Sequence, residues 1–284
     1  MKKYYGFAGV DFEIDIPDEM IYSDERNLSA FAAENVTDPE RCVFSLVDEL
    51  TPPGGVCIAN EGGFRVYAEG ADTVRYIGSV RQSWEEAYAR VLHRGREHFA
   101  QIKRSEHTRR LGVHTVLGCL AAEHLVTRAS GVILHSSFVG TRGRAILFTA
   151  PSETGKSTQA DLWQKLRGAE IINGDRAAVR ALNTGVFACG IPFSGSSKFC
   201  ENQTLPLAAI VYLKQAPQTT IRRLRGAEAF RRVWEGCSVN VWDRTDVDLA
   251  SKTVQRIVTE VSVYELACTP DESAVIALEG VLVE

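Results

Sequence analysis

Hydrophobic and polar residues alternate with a period of two along the first part of the chain, a pattern typical of β-strands with one solvent-facing side. In Phe7–Ile16 the apolar residues are separated by acidic ones, and Pro17 ends the segment. The turn signal Pro52-Pro53-Gly54 separates further strand segments. These are Val43–Leu50, Gly55–Ala59, Gly63–Ala68 and Thr73–Gly78. The pattern predicts a strand-rich N-terminal lobe, for which we expect a packing or substrate-docking role.

The segment Ser83–Arg110 has a different pattern and is predicted to form a basic helix. Ser83 and Glu86 have the spacing of a capping box, and arginine, lysine and histidine residues follow at short intervals. Such a helix is usually a solvated connecting element, although a docking face for an acidic partner or a phosphate stays open. We assign residues 1–110 to the N-terminal lobe together with this basic connecting helix.

From residue 111 onward, segments with helical spacing alternate with apolar strand segments, which predicts an α/β domain with mixed sheets over residues 111–284. Val113–Arg128 is predicted to be a core helix. The central part reads as strand Ala145–Thr149, helix Thr158–Arg167, strand Ala169–Asp175 and a hairpin of Arg176–Leu182 with Val186–Ile191. The remaining predicted elements are Leu207–Lys214, Thr220–Leu224, Gly226–Gly236, Asp246–Val261, Val263–Cys268 and Asp271–Leu282.

Composition narrows the class of protein. The 284 residues are 45% hydrophobic and 24% charged, with a net charge of −4, which argues against a general nucleic-acid binder. No apolar run is long enough to cross a bilayer, and acidic residues interrupt the N-terminus too early for a signal peptide. The seven scattered cysteines include no C-x-x-C pair. We therefore expect a cytoplasmic protein with neither a membrane nor a nucleic acid as its partner.

The segment Ala150–Ser157 fits the relaxed phosphate-binding loop pattern [AG]-x4-G-K-[ST]. Such a loop turns successive backbone N–H groups towards a phosphate, and the helix behind it adds partial positive charge. We expect Lys156 to bridge the terminal phosphates of a bound nucleotide and Ser157 to bind Mg²⁺. The predicted nucleotide-binding residues are Ser152, Glu153, Thr154, Gly155, Lys156, Ser157 and Thr158.

Three further features accompany this motif. Asp175 ends the next predicted strand, where it could bind Mg²⁺ or merely form a turn. His135 lies on the strand before the motif. It is a candidate base or charge stabiliser for phosphoryl transfer, and the alternative is a histidine of the core. A loop rich in glycine and serine is a candidate for contacting nucleotide or acceptor, with a surface turn as the alternative. Its residues are Ser194, Gly195, Ser196, Ser197 and Lys198.

In these features the chain resembles the HPr kinase/phosphorylase-like kinases, which share a P-loop core with phosphoenolpyruvate carboxykinase. The matching pieces are HSSFV from His135, PSETGKST from Pro151 and INGDRAAV from Ile172. The loop GIPFSGSS from Gly190 is similar to that of small stand-alone bacterial relatives, some encoded near peptide-modification genes. The resemblance covers 113–284 and is strongest over 134–179.

The resemblance implies an ATP- and Mg²⁺-dependent kinase in which His135, Lys156 and Asp175 are the catalytic residues and Ser157 with Asp175 binds the metal. It implies a hydroxyl acceptor, most naturally a serine of a peptide or protein. Gly174 stands where the family has the acid that activates the acceptor hydroxyl, so Asp175 or His135 would have to take that role. A small-molecule kinase acting on free serine and a non-catalytic nucleotide sensor stay open as alternatives, as do a homo-oligomeric state and GTP in place of ATP.

Overall fold

The chain folds into two units, each built on a mixed β-sheet. The computed structural model describes residues 2–20, 26–106, 111–195, 197 and 199–282. Residues 1–125 form the first unit and residues 126–284 the second. Segment 111–125 belongs to the first unit in this division, and the domain boundary that we expect after residue 110 stays a prediction.

The first unit contains an eight-stranded sheet with the strand order β1-β2-β3-β8-β7-β6-β5-β4. Strands β2, β3 and β8 run parallel to one another, whereas the other neighbours are antiparallel. The strands are β1 (Lys2–Phe7), β2 (Val10–Asp15), β3 (Glu40–Val47), β4 (Val56–Asn60), β5 (Phe64–Glu69), β6 (Asp72–Gly78), β7 (Ala87–Arg94) and β8 (Glu97–Lys103). Among the described residues, the helices that begin before residue 125 are α1 (Arg26–Ser29), α2 (Val113–Leu120) and α3 (Ala122–Arg128).

The prediction of a basic helix over Ser83–Arg110 is wrong, because this segment forms the hairpin of β7 and β8. Gly95 makes the turn with a φ of 58°, a conformation that glycine adopts without strain. In β8, alternate residues are buried, which is the period of a strand and not of a helix. Ser83 is an N-cap residue, and its side chain accepts a hydrogen bond from the Glu85 N–H. The helix that it caps is a single 3₁₀ turn, Trp84–Glu86. Residues 107–110 of the predicted helix lie outside the described residues.

The helix predicted for Val113–Arg128 is divided into α2 and α3. Ala121 between them has a φ of 53° and a ψ of 54°, the left-handed conformation that ends a helix. Its N–H still donates to the Gly118 and Leu117 carbonyls, so the last turn of α2 is closed. Both segments keep the same apolar periodicity in the sequence, and the pattern alone therefore predicts one helix.

In the second unit, every helix and strand predicted between residues 145 and 282 is present, with ends shifted by a few residues. The strands are β9 (Gly131–Thr141), β10 (Arg144–Thr149), β11 (Glu170–Asn173), β12 (Arg176–Leu182), β13 (Gly185–Cys189), β14 (Thr204–Gln215), β15 (Thr220–Leu224), β16 (Cys237–Ser238) and β17 (Ser262–Cys268). The helices are α4 (Lys156–Arg167), α5 (Gly226–Trp234), α6 (Arg244–Glu260) and α7 (Glu272–Leu282). Among the described residues, no helix combines the length and the apolar character needed to span a membrane.

Two strand pairings of this second sheet position the residues discussed below. Strand β14 lies between β10 and β17 and runs parallel to both, so the carboxyl ends of these three strands lie side by side. On the other side of β10, the long antiparallel strand β9 also pairs with β11 and β12.

Alternate side chains of β10 face two separate hydrophobic clusters. Ile146 and Phe148 pack with residues of α4 and α7, whereas Ala145 and Leu147 pack with residues of α5 and α6. The sheet is therefore covered by helices on both faces, and β10 is buried throughout, apart from Arg144 at its start.

Candidate functional site

The loop between β10 and α4, residues 150–155, has the strand–loop–helix setting that the sequence motif predicts. Gly155 precedes the first turn of α4 with a φ of 112° and a ψ of 21°, which a residue with a Cβ adopts only under strain. Glu153 also has a positive φ, of 64°. The Thr154 hydroxyl donates to the Pro151 carbonyl over 2.9 Å. The loop is therefore tightly turned, and α4 begins directly behind it.

Lys156, the first residue of α4, is buried, with only 8% of its surface exposed. Its Nζ donates to the carbonyl oxygens of Ala150 and Pro151, over 3.1 and 3.2 Å. Burial lowers the pKa of this ammonium group, and the nearby Asp175 carboxylate acts in the opposite direction. The ammonium charge of Lys156 is thus held inside the loop by two uncharged carbonyl groups. A negatively charged ligand would bind it more strongly and can replace them.

Pairing of β9 with β12 brings His135 and Asp175 together. The Ser136 N–H donates to the Asp175 carbonyl over 2.9 Å, and His135 Nδ1 lies 3.6 Å from Asp175 Oδ1. The other carboxylate oxygen, Oδ2, accepts from Arg176 Nε over 3.1 Å. Burial and then the positive charge of Lys156 lower the pKa of His135, while Asp175 raises it. With its pKa below the ordinary 6.5, the imidazole is neutral at neutral pH.

The fully buried Asn173 holds the turn that presents Asp175. Its Oδ1 accepts from the N–H groups of Asp175 and Arg176, each over 2.9 Å. Its Nδ2 donates to the carbonyls of Ile191 and Phe193, over 3.1 and 2.6 Å. One side chain therefore fixes both the turn and the loop after β13. The Asn-Gly-Asp sequence is the signal that could have revealed this role, because asparagine commonly bonds to backbone groups two or three residues on.

The loop containing Ser194, Gly195 and Ser197 packs directly against this turn. A Cβ added to Gly174 would lie 2.2 Å from Ser197 Oγ and 2.5 Å from Ser197 Cβ, so the serine fills the space beside the glycine. Gly195 has a φ of 55°, and a Cβ there would lie 2.7 Å from the Asp175 Cγ. The structure thus places Gly195 against Asp175 and Ser197 against Gly174, and Ser194 lines the same cavity as Asp175. Ser196 and Lys198 lie outside the described residues.

Two cavities flank the 150–155 loop. The first, here called the site cavity, has a volume of about 430 Å³. The second, the strand-end cavity, has a volume of about 580 Å³ and lies at the carboxyl ends of β10, β14 and β17. Predicted residues that line the site cavity are His135, Ser152, Lys156, Ser157, Asp175, Ser194 and Ser197. Thr154, Gly155 and Thr158 line the strand-end cavity, and Glu153 lines both.

Sequence reasoning missed three other residues of the site cavity or its wall. Asp161 of α4 and Phe199 line the cavity. The Arg176 guanidinium lies over the Phe193 ring, 4.9 Å from its centre, and this contact orients the group that binds Asp175. The helical spacing of Ser157 and Asp161 is a signal that could have identified Asp161, because residues four apart on a helix share one face.

Comparison with known proteins identifies no family. No family model matches the chain, and no curated protein matches it. Among solved structures, the HPr(Ser) kinase/phosphatase from Coxiella burnetii aligns with a TM-score of 0.33 and 9% sequence identity, covering 53% of this chain and 96% of that one. This is a distant likeness.

Proposed function

We propose that the chain is an ATP-dependent kinase that transfers the γ-phosphoryl group to a hydroxyl acceptor, a serine of a peptide or protein. One observation carries the proposal. Lys156 and Ser157, at the start of a helix behind a tightly turned loop, line the same cavity as His135 and Asp175. This combines groups suited to phosphate, metal and proton chemistry in one place. The sequence motifs that resemble those of HPr kinase-like proteins support it.

The 150–155 loop and Lys156 would bind the phosphates. The N-terminus of α4 carries partial positive charge, and unpaired N–H groups of its first turn favour an anion. Among the described residues, the Lys156 ammonium bonds to two backbone carbonyls of its own loop, over 3.1 and 3.2 Å. A phosphate carries full negative charge and attracts an ammonium group more strongly than an uncharged carbonyl does, so ATP would draw the ammonium group away from these carbonyls. The strand-end cavity, on the other side of the loop, would take the base and ribose.

The residues present also fit Mg²⁺. This ion prefers oxygen ligands from one or two protein groups, with water and phosphate completing its shell. The Ser157 hydroxyl is exposed, and both it and the Asp175 carboxylate line the site cavity. We propose that these two residues hold the ion, which would neutralise charge on the phosphates. No nitrogen or sulfur ligand set is needed for this role.

His135 would act beside the transferring group. Its imidazole is neutral at neutral pH because burial and Lys156 lower its pKa. A neutral imidazole can donate a hydrogen bond to a developing charge or accept a proton. Its closeness to Asp175 and Lys156 suits the first role, in which it would stabilise the phosphoryl group during transfer.

The proposal is tested with purified protein, Mg²⁺ and ATP labelled in the γ-phosphate. A degenerate peptide library with a fixed central serine and free L-serine serve as acceptors. The expected result is labelled peptide. Labelled free serine in place of peptide would instead support the small-molecule alternative.

The matched variants are Lys156→Ala and Lys165→Ala, which remove the same side chain from the first and last turns of α4. We expect Lys156→Ala to abolish transfer and to weaken binding of a fluorescent ATP analogue, with Lys165→Ala unchanged in both. Asp175→Asn should remove the dependence on Mg²⁺. Transfer by Lys156→Ala at the wild-type rate would show the proposal to be wrong.

A nucleotide-binding protein without transfer is the second candidate. Ser197 packs against Gly174, so no carboxylate stands at the position where the resembling kinases have one. Tight binding of the ATP analogue, with no labelled product from any acceptor and no release of phosphate, would favour this candidate over the kinase.

A further inference from the structure

Phosphoryl transfer to a hydroxyl needs a group that receives the hydroxyl proton. Among the described residues, four titratable groups besides Lys156 line the site cavity: His135, Glu153, Asp161 and Asp175. The position before Asp175 supplies none, since it is Gly174 and Ser197 occupies the space beside it. Within the described part of the chain, these four are the candidates for the receiving group.

Asp175 is poorly placed for this task because both of its carboxylate oxygens are engaged. Oδ1 lies 3.6 Å from His135, and Oδ2 accepts from Arg176 over 3.1 Å. Asp175 is also a proposed ligand of the metal ion, which would occupy one of these oxygens.

His135 and Glu153 lie beside groups proposed to bind the metal ion and the phosphates. His135 Nδ1 lies 3.6 Å from Oδ1 of the proposed metal ligand Asp175. Glu153 belongs to the 150–155 loop itself and is shared with the strand-end cavity. Both groups would face the nucleotide more than the acceptor.

Asp161 differs from these three groups. It lies on α4 four residues after Ser157, and residues at this spacing project from the same face of a helix. Among the described residues it makes no hydrogen bond or ion pair, and its side chain is exposed. Ile171 and Phe199 also line the cavity, where they offer an acceptor apolar contact without competing for the carboxylate.

We propose that Asp161 is the base that activates the acceptor hydroxyl, an inference that rests on the proposed kinase function. The acceptor O–H bond breaks and its proton passes to an Asp161 carboxylate oxygen. The acceptor oxygen forms a bond to the γ-phosphorus, and the bond from that phosphorus to the β–γ bridging oxygen breaks. Its electron pair leaves with ADP, and the protonated Asp161 then returns its proton to water.

The test compares Asp161→Asn and Asp161→Glu with the wild-type protein, using the same peptide library and free L-serine. Asp248→Asn is the matched control, because Asp248 is an exposed aspartate of α6 that does not line the site cavity. We measure kcat, the KM for acceptor, the Kd for the fluorescent ATP analogue and the thermal midpoint. Removing a general base lowers kcat by about 10²-fold or more.

We expect this loss in Asp161→Asn, with unchanged nucleotide Kd and thermal midpoint, partial recovery of kcat in Asp161→Glu and no change in Asp248→Asn. A rise in acceptor KM alone would overturn the inference and make Asp161 a binding residue. A kcat within about threefold of wild type would also overturn it. If the wild-type protein transfers phosphate to no acceptor, the proposed function fails and the role of Asp161 with it.

Discussion

Replacing Gly174 by alanine tests how closely Ser197 packs against the turn that presents Asp175. The new Cβ would lie 2.2 Å from Ser197 Oγ, whereas ordinary contacts begin near 3.4 Å. The serine would have to move by about 1 Å, as overpacked side chains do. Its Oγ accepts from the Phe199 N–H over 3.1 Å, and this bond would be weakened. Overpacking and a weakened hydrogen bond together predict a loss of about 1–2 kcal/mol in the free energy of unfolding.

The same reasoning predicts which second change relieves the strain. Ser197→Gly removes both atoms that the new Cβ would meet, at 2.2 and 2.5 Å. In that background, Gly174→Ala should cost much less than it does alone. The double-mutant cycle should therefore give a favourable coupling of about 1 kcal/mol or more, as expected for two residues in direct contact.

Thermal unfolding measures both effects. A loss of 1–2 kcal/mol lowers the midpoint by about 2–8 °C for a unit of this size. Gly63→Ala is the control, because no atom lies within 4 Å of a Cβ built there, and its midpoint should not fall. Close packing of Ser197 against Gly174 is refuted if Gly174→Ala melts within about 1 °C of wild type, or if Ser197→Gly fails to restore the stability lost in Gly174→Ala.

Two further predictions concern histidines. Asp175→Asn should lower the pKa of His135 further, because the Asp175 carboxylate raises it, and Lys156→Ala should raise this pKa, because the Lys156 ammonium lowers it. NMR titration of the His135 ring protons measures the pKa in each variant. Shifts in the same direction in the two variants would contradict these assignments. Burial, and then the neighbouring His98, hold the pKa of His93 well below 6.5. Below pH 6.5 this histidine is therefore protonated in the unfolded chain but stays neutral in the folded one. The free energy of unfolding is thus at its full value above pH 6.5 and falls by at most about 2 kcal/mol by pH 5. His93→Gln should flatten this dependence in thermal melts at pH 7 and 5, and an unchanged slope would exclude His93 as its source.

The error at Ser83–Arg110 shows where sequence patterns mislead. Its many arginines and its capping-box spacing favour a solvated helix in isolation. In the structure, β8 pairs with β3, more than 50 residues earlier in the chain, over the register from Arg41 with Glu97 to Val47 with Lys103. Backbone pairing with a distant strand outweighs local propensity, and local propensity is all that a short window of sequence reports.

The loop between β10 and α4 can be predicted from the sequence, because the glycine, the buried strand before it and the helix after it are all local features of one short segment. The two different periodicities of strands and helices likewise predict most of the order of elements after residue 130. By contrast, the full burial of Asn173 and its bonds to both the turn and the next loop depend on the folded structure. So do the packing of Ser197 beside Gly174 and the cavity that Asp161 shares with His135 and Asp175. These relations join residues from separate strands, helices and loops, and they exist only once the pairing of β9, β11 and β12 has brought those elements side by side.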